Sequence, residues 1–194
     1  MTKYRRQLAN ADSIDRMLGI EGHTARVWFR FLATAIPSPW VFPNRNRRPP
    51  TDPVNVLLSL GYTWLLNRVR ARVEAAGLDP NLGALHALAP GRPSLACDLV
   101  EPLRVLSTDA WMLRQLRGRS VQPEDFFATE QGIRLAPKQF PKVLTSWDKN
   151  WQRQELTTKL DQIVRDYECR LRQVVESVCE IGLGSDLADQ DVPT

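Results

Sequence analysis

A carboxylate on an otherwise apolar helix stripe, and a scarce histidine upstream of two acids at helical spacing, are where this sequence invites chemistry. Glu21 stands among Ile14, Leu18, Ala25, Trp28, Leu32 and Ala35, which alternate steps of four and three and trace one face of an amphipathic helix. A carboxylate on that stripe is desolvated, and unpaired it costs on the order of several kcal/mol. It therefore asks for a cation: an arginine or lysine in a structural ion pair, or a metal ion. His86 is one of two histidines, His23 being the other. A lone histidine near a helix end is commonly a hydrogen-bonded structural residue, and otherwise a ligand or proton carrier. Asp98 and Glu101 lie at i and i+3, so both carboxylates can point at one spot, or simply complement the dipole of a helix N-terminus.

One imidazole with two or three carboxylates suits a divalent cation. Oxygen-rich ligation favours Mg²⁺ or Mn²⁺, and the imidazole tilts the choice toward Mn²⁺. Such an ion stabilises charge on a phosphodiester in transit and activates a hydroxyl nucleophile. No spacing rule links Glu21 to His86, so spacing alone does not establish the constellation.

The cationic residues carry the second theme. Net charge is +4, a mild excess that suits an acidic partner such as nucleic acid without requiring one. Arg45, Arg47 and Arg48 lie in a proline-stiffened stretch beside Trp40 and Phe42. Arginine forks beside aromatic rings suit a sugar–phosphate backbone and a frayed base, although a solvated loop has the same composition. Arg68 and Arg72 fall one turn apart on what reads as a solvent face, and a further cluster runs from Arg114 to Arg119.

These side chains are to be positioned by helices. Asp12 and Ser13 can cap a first helix to about Ile36, where Pro37 and Pro39 stop it. Asp52-Pro53 signals a second helix that ends at Gly77, and Asp79-Pro80 repeats that signal for a short helix ending near His86. Ser94 opens a run to Gly118, whose regular part is expected from Asp98 to Glu101 onward because Pro102 belongs in a first turn. Residues 119–135 read as loop with room for a short hairpin near 129–135, and Pro137 starts another helix. The stripe Leu156, Leu160, Ile163, Tyr167, Leu171, Val174, Val178 and Ile181 predicts a last helix over 151–181, ended by Gly182. The expectation is one all-α domain over 1–182, followed by a disordered acidic tail over 183–194.

Composition narrows the class. Hydrophobic residues make up 43% and charged residues 25%, which is globular, and the six tryptophans are expected mostly in the core. Cys97, Cys169 and Cys179 show no paired spacing and read as reduced thiols, against a structural zinc site. The basic N-terminus is followed by no apolar segment, and Val56–Leu66 is too short to span a bilayer, so a cytoplasmic protein without membrane contact is expected.

Whole blocks of sequence then add a resemblance. Leu18-Gly-Ile-Glu21-Gly22, with Ala25-Arg26, resembles the opening catalytic helix of the CRISPR-associated adaptation endonucleases, the integrase subunit of spacer acquisition. The stretch from Arg47-Arg48-Pro49-Pro50-Thr51-Asp52-Pro53 through Leu60-Gly61-Tyr62 is similar to that family's most recognisable block. Gly77-Leu78-Asp79-Pro80, Leu82-Gly83 with Leu85-His86, and Gly91-Arg92-Pro93-Ser94-Leu95 with Asp98, Glu101, Pro102 and Arg104 follow in the family's order. Asp125-Phe126 and Gly132-Ile133-Arg134-Leu135 resemble its later segments, so the likeness covers about Arg16 to Leu171.

The resemblance implies a Mg²⁺ or Mn²⁺ site built from Glu21, His86 and Glu101, with Asp98 as a close second acid. DNA contacts are expected from Arg45, Arg47, Arg48 and Arg92. The implied reaction is attack of the 3′-hydroxyl of a short DNA fragment on a phosphodiester at the edge of a CRISPR repeat. The implied partners are that DNA, a second adaptation protein and a second copy of the chain, since two ends need two sites. The alternative is a catalytically silent DNA-binding or scaffold subunit of the same fold. One departure stands out: the family's strand-rich N-terminal domain has no counterpart ahead of Glu21. The chain is thus expected to be either a compact natural member or an excised catalytic domain.

Overall fold

Asp52 and Pro53 start the helix around which the others gather. The Asp52 side chain accepts from Asn55 N, and Pro53 occupies a first-turn position where a missing N–H costs nothing. The computed structural model describes residues 2–46 and 48–186, and Arg47 and the tail beyond Asp186 lie outside the described residues. In chain order the elements are α1 (Thr2–Ala9), α2 (Ile14–Thr34), α3 (Pro53–Ala75), α4 (Ser94–Arg104), a π-helical turn (Val105–Asp109) and α5 (Ala110–Arg117). The strands β1 (Phe126–Thr129) and β2 (Gly132–Leu135), then α6 (Phe140–Arg153) and α7 (Leu156–Asp186), complete them. The helical class is as expected. The hairpin forms with Phe126 opposite Leu135 and Thr129 opposite Gly132, beginning earlier than the turn residues suggest.

α3 buries Val54, Leu57, Leu58, Leu65, Val69 and Val73, on more than one side, because α4, the π turn, α5 and α7 all pack on it. Its aromatic flank is Trp64, whose ring stands 5.9 Å from Trp111, 5.6 Å from Trp147 and 5.8 Å from Phe140. Such pairs add about 0.5–1.5 kcal/mol each beyond area burial. Trp111, Trp147 and Trp151 are fully buried and the remaining tryptophans half-buried. Arg68 and Arg72 depart from expectation: they are ties, not solvated charges. Arg68 pairs with Asp148 at 2.5 Å and covers the Trp147 and Trp151 rings, and Arg72 pairs with Asp161 at 2.5 Å.

Four boundaries differ from the sequence pattern. Asp79-Pro80 starts no helix; Asp79 Oδ1 accepts from Asn81 N at 2.8 Å, a side-chain turn that competes with helical bonding. α4 is regular from Ser94, with Pro102 inside it, and the chain widens into the π turn directly afterwards. The expected helix over 151–181 is broken at Gln154–Glu155, where Glu155 takes φ 51°, so α6 and α7 are separate. α7 then runs through Gly182 to Asp186, since a glycine inside a helix weakens it without stopping it.

Along α7, Leu156, Leu160 and Val164 are buried in the core, whereas Val174, Val175 and Val178 are 60%, 54% and 62% exposed. No helix among the described residues is long and apolar enough to cross a membrane.

Gly61 sets how closely the π turn approaches α3: a Cβ there would stand 2.6 Å from Thr108 Cγ2 and 3.0 Å from its Oγ1. Thr108 is fully buried. Gly61→Ala is therefore expected to destabilise by about 1–3 kcal/mol in urea unfolding, despite alanine's better helix propensity. Adding Thr108→Ser should recover part of that loss, and strictly additive effects would contradict the contact.

Candidate active site

Residues 77–93, between α3 and α4, fold around one acid. Asp98 Oδ2 accepts from Ala84 N at 2.7 Å and Leu85 N at 3.0 Å, while Oδ1 accepts from His86 N at 3.2 Å. His86 Nδ1 lies 2.5 Å from the same Oδ1. Gly83 permits the wrap, since a Cβ there would meet Asp98 Oδ2 at 2.9 Å and His86 O at 2.7 Å. The Asp98 side chain is only 6% exposed and that of His86 18%. Acting purely as an acceptor, the carboxylate holds the proton on Nδ1 and leaves the Nε2 lone pair available to a ligand. Asp98 thus stands behind His86.

His86 opens onto a cleft of about 490 Å³ that Glu21 and Glu101 also line. Arg45, Arg48 and Arg92 share its walls, with Tyr62 and Arg104 among the lining residues. Residues from α2, the loop before α4, α4 itself and the arginine loop therefore meet in one place. Glu21 is half-buried at the cleft wall and not enclosed in the core, contrary to the stripe reading, because Leu32 is the buried residue among those described in α2. The three candidate ligands share the cleft without being gathered: among the described residues no three His, Cys, Asp or Glu side chains form a metal-sized group. Glu101 is turned to Arg104, whose Nη1 donates to both of its oxygens at 2.7 and 3.0 Å. His23 lies elsewhere, against the Tyr4 ring.

The arginine loop is stapled to α3 by the fully buried Asn55. Its Nδ2 donates to Asn44 O at 2.8 Å and to Asp52 Oδ2 at 2.6 Å, and its Oδ1 accepts from Asn46 N at 3.0 Å and Arg45 Nη1 at 2.9 Å. Arg45 also donates to Ser59 Oγ at 3.2 Å and lies 5.5 Å from the Tyr62 centroid. Arg45 is thus held against α3 at the cleft, and Arg48 is exposed at its wall. Arg47 lies outside the described residues.

Sequence reasoning missed the cleft floor. The Arg104 guanidinium lies 4.8 Å from the Tyr62 ring centroid, and Tyr62 Oη donates to Asp109 Oδ1. Trp28 Nε1 donates to the other oxygen, Oδ2, at 2.7 Å. Burial pushes the Asp109 carboxyl above its ordinary range, and burial followed by the neighbouring Asp109 charge raises the Tyr62 phenol. Two signals pointed there: an arginine three residues after Glu101, and a phenol on an apolar stripe that needs a partner.

Asp98→Asn removes two acceptor lone pairs and substitutes an amide for an oxygen. Amide hydrogen exchange at Ala84, Leu85 and His86 is expected to accelerate about tenfold or more, since a charge-assisted bond contributes about 1.5–3 kcal/mol. Unchanged protection would mean that the loop is held by something else.

The family model described as CRISPR associated protein Cas1 matches residues 1–149. CRISPR-associated endonuclease Cas1 3 of Thermus thermophilus is 42% identical over 138 residues, which is 71% of this chain and 42% of the relative. Among solved structures, a partial Cas6-RT-Cas1–Cas2 complex superposes with a TM-score of 0.82 at 25% identity, covering 89% of this chain and 54% of that one. A casposase bound to integration product gives 0.71 at 28% identity, covering 77% and 43%. The chain spans less than half the length of the Thermus relative. With a family model matched over most of its length and that relative beside it, the chain belongs to the family of CRISPR-associated Cas1 proteins.

Proposed function

We propose that the cleft is the active site of a metal-dependent DNA strand transfer, in which the 3′-hydroxyl of a short DNA fragment attacks a phosphodiester at the edge of a CRISPR repeat. The observation that carries this reading is the meeting of Glu21, His86 and Glu101 with Arg45, Arg48 and Arg92 around one cleft. The donor set fits the cation the family implies. It combines an imidazole whose Nε2 is left available with two carboxylates, a mixture that suits Mg²⁺ or Mn²⁺. Glu21, His86 and Glu101 would hold it, and when bound it would neutralise charge at the phosphodiester and make a hydroxyl a better nucleophile.

The chain's own residues supply the rest. Asp98 fixes the His86 ring and keeps its proton on Nδ1, so the ring presents the same nitrogen to the cleft at every turnover. Arg45, Arg48 and Arg92 provide guanidinium forks for the sugar–phosphate backbone, a contact that positions DNA without reading its sequence. In the reaction a new phosphorus–oxygen ester forms as the bond from the same phosphorus to the target strand's 3′-oxygen breaks. The proton lost by the attacking hydroxyl is matched by the one gained by the departing oxygen, so no external energy source is consumed.

The likeness to a casposase bound to integration product supports the joining reaction, and the likeness to a Cas1–Cas2 complex supports a second adaptation protein as partner. Joining two fragment ends to opposite strands requires two sites, and we assign the second to another copy of this chain. The exposed valines of α7 offer apolar surface for that contact. A second reading, a silent DNA-binding scaffold, draws on one observation: both Glu101 oxygens are engaged by Arg104.

On branched, repeat-containing DNA with Mn²⁺, Glu21→Ala, His86→Ala and Glu101→Ala are each expected to lower strand transfer by about a hundredfold or more, with Asp98→Ala leaving a residue of activity. Light scattering of the same complexes should find an even number of copies. Normal transfer by Glu21→Ala or His86→Ala would overturn the site, and DNA binding without transfer by the unaltered chain would favour the scaffold.

A further inference from the structure

α2 carries Glu21 into the cleft, yet little of α2 is embedded. Among its described residues only Leu32 is fully buried, while Ile14 and Phe31 are 51% and 62% exposed. The helix is instead tied at Trp28, whose Nε1 donates to Asp109 Oδ2. Trp28 follows Glu21 by seven residues, and at about 100° per residue seven return to the same face, about 10 Å further along the axis. A hydrogen bond at Trp28 therefore sets the rotation of α2 that aims Glu21.

Asp109 closes the π turn. In an unbroken α-helix, the eight residues from Glu101 would leave Asp109 about 80° off the Glu101 face. The extra residue taken up by the π turn returns about 100° and brings both acids to one side. The second Asp109 oxygen accepts from Tyr62, whose ring carries the Arg104 guanidinium that holds Glu101. Arg104 also lies 5.9 Å from the Phe29 ring of α2. A connected path thus runs from Glu21's helix through Trp28, Asp109, Tyr62 and Arg104 to Glu101. Asp109 is 2% exposed and is not among the cleft-lining residues, so it is not placed to touch DNA.

We propose that Asp109, acting with Tyr62, is a positioning residue of the cleft, locking the α2 carboxylate of Glu21 and the α4 carboxylate of Glu101 into the relative placement in which both serve one divalent cation. The proposal rests on the metal reading above. A buried tie that only stabilised the fold would change unfolding without changing cation affinity, and that difference decides the matter.

The test uses the full chain and Mn²⁺ alone, read as loss of the free aquo-ion's paramagnetic resonance signal, with thermal unfolding in parallel. Trp28→Phe and Tyr62→Phe each delete one donor while keeping a ring, and Asp109→Leu deletes both acceptors. Asp109→Asn is the conservative rescue: its oxygen accepts from Trp28 and its amide donates to a Tyr62 oxygen that turns its own proton away. Trp28→Phe and Tyr62→Phe are expected to weaken Mn²⁺ binding about tenfold or more, as for other residues that orient ligands, with Asp109→Asn within about threefold of the unaltered chain. Combining Trp28→Phe with Asp109→Leu should cost no more than Asp109→Leu alone. Should Asp109→Leu fail to fold, the two phenylalanine variants carry the test. Folded phenylalanine variants that bind Mn²⁺ like the unaltered chain overturn the proposal and leave the metal reading standing. An unaltered chain that takes up no Mn²⁺ overturns both.

Discussion

Asp98 is charged, nearly buried and met by three backbone amides and an imidazole. Removing a carboxylate from water costs on the order of several kcal/mol, and charge-assisted bonds return about 1.5–3 kcal/mol each. The exchange favours burial only when all the donors converge, so the loop that supplies them has little freedom to move. That single constraint gives residues 84–86 their path, gives His86 its tautomer and its aim, and explains why a glycine stands at position 83. The cleft exists because the loop before α4 is wound on this acid.

The opposite wall is organised by a second acid. Asp109 receives Trp28 from α2 and Tyr62 from α3, and it sits at the end of a π turn that a Gly61–Thr108 contact presses against α3. Asp98 orders the histidine and Asp109 orders the helix of Glu21, while Glu101, held by Arg104, lies between them in the chain. The two acids are tied to different secondary structure, which makes the cleft's parts separable by mutation. Over all of this the chain carries the Cas1 family's pattern in less than half the length of the Thermus relative.

Much of this was legible in the sequence. The cap Asp52 with Pro53, the stop at Pro37 and the periodic stripes located α2 and α3 because those signals are local. Asp98 and Glu101 at helical spacing placed two acids on one helix, but not that one would turn inward to a backbone loop and the other outward to the cleft. That choice depends on Gly83 and on amides fourteen to twelve residues upstream, a tertiary fact. The same reason hid the failure of Asp79-Pro80 to start a helix: the side chain's own turn, and the pull of Asp98 on the following amides, override the start signal. Glu21 was picked out by its place on a stripe, although the stripe's first half faces the cleft and solvent. Arg68 and Arg72 read as surface charge because their partners, Asp148 and Asp161, lie far along the chain. The pairing of Tyr62 with Asp109 was hidden for the same reason.

Glu21, His86 and Glu101 are proposed to hold one cation, with Asp98 behind the histidine. A crystal grown with Mn²⁺ and measured at the manganese absorption edge addresses this directly. One anomalous peak is expected in the cleft, bonded to His86 Nε2 and to carboxylate oxygens of Glu21 and Glu101, with Asp98 still on Nδ1. A peak held by other residues, or one bonded to Asp98 itself, would contradict it.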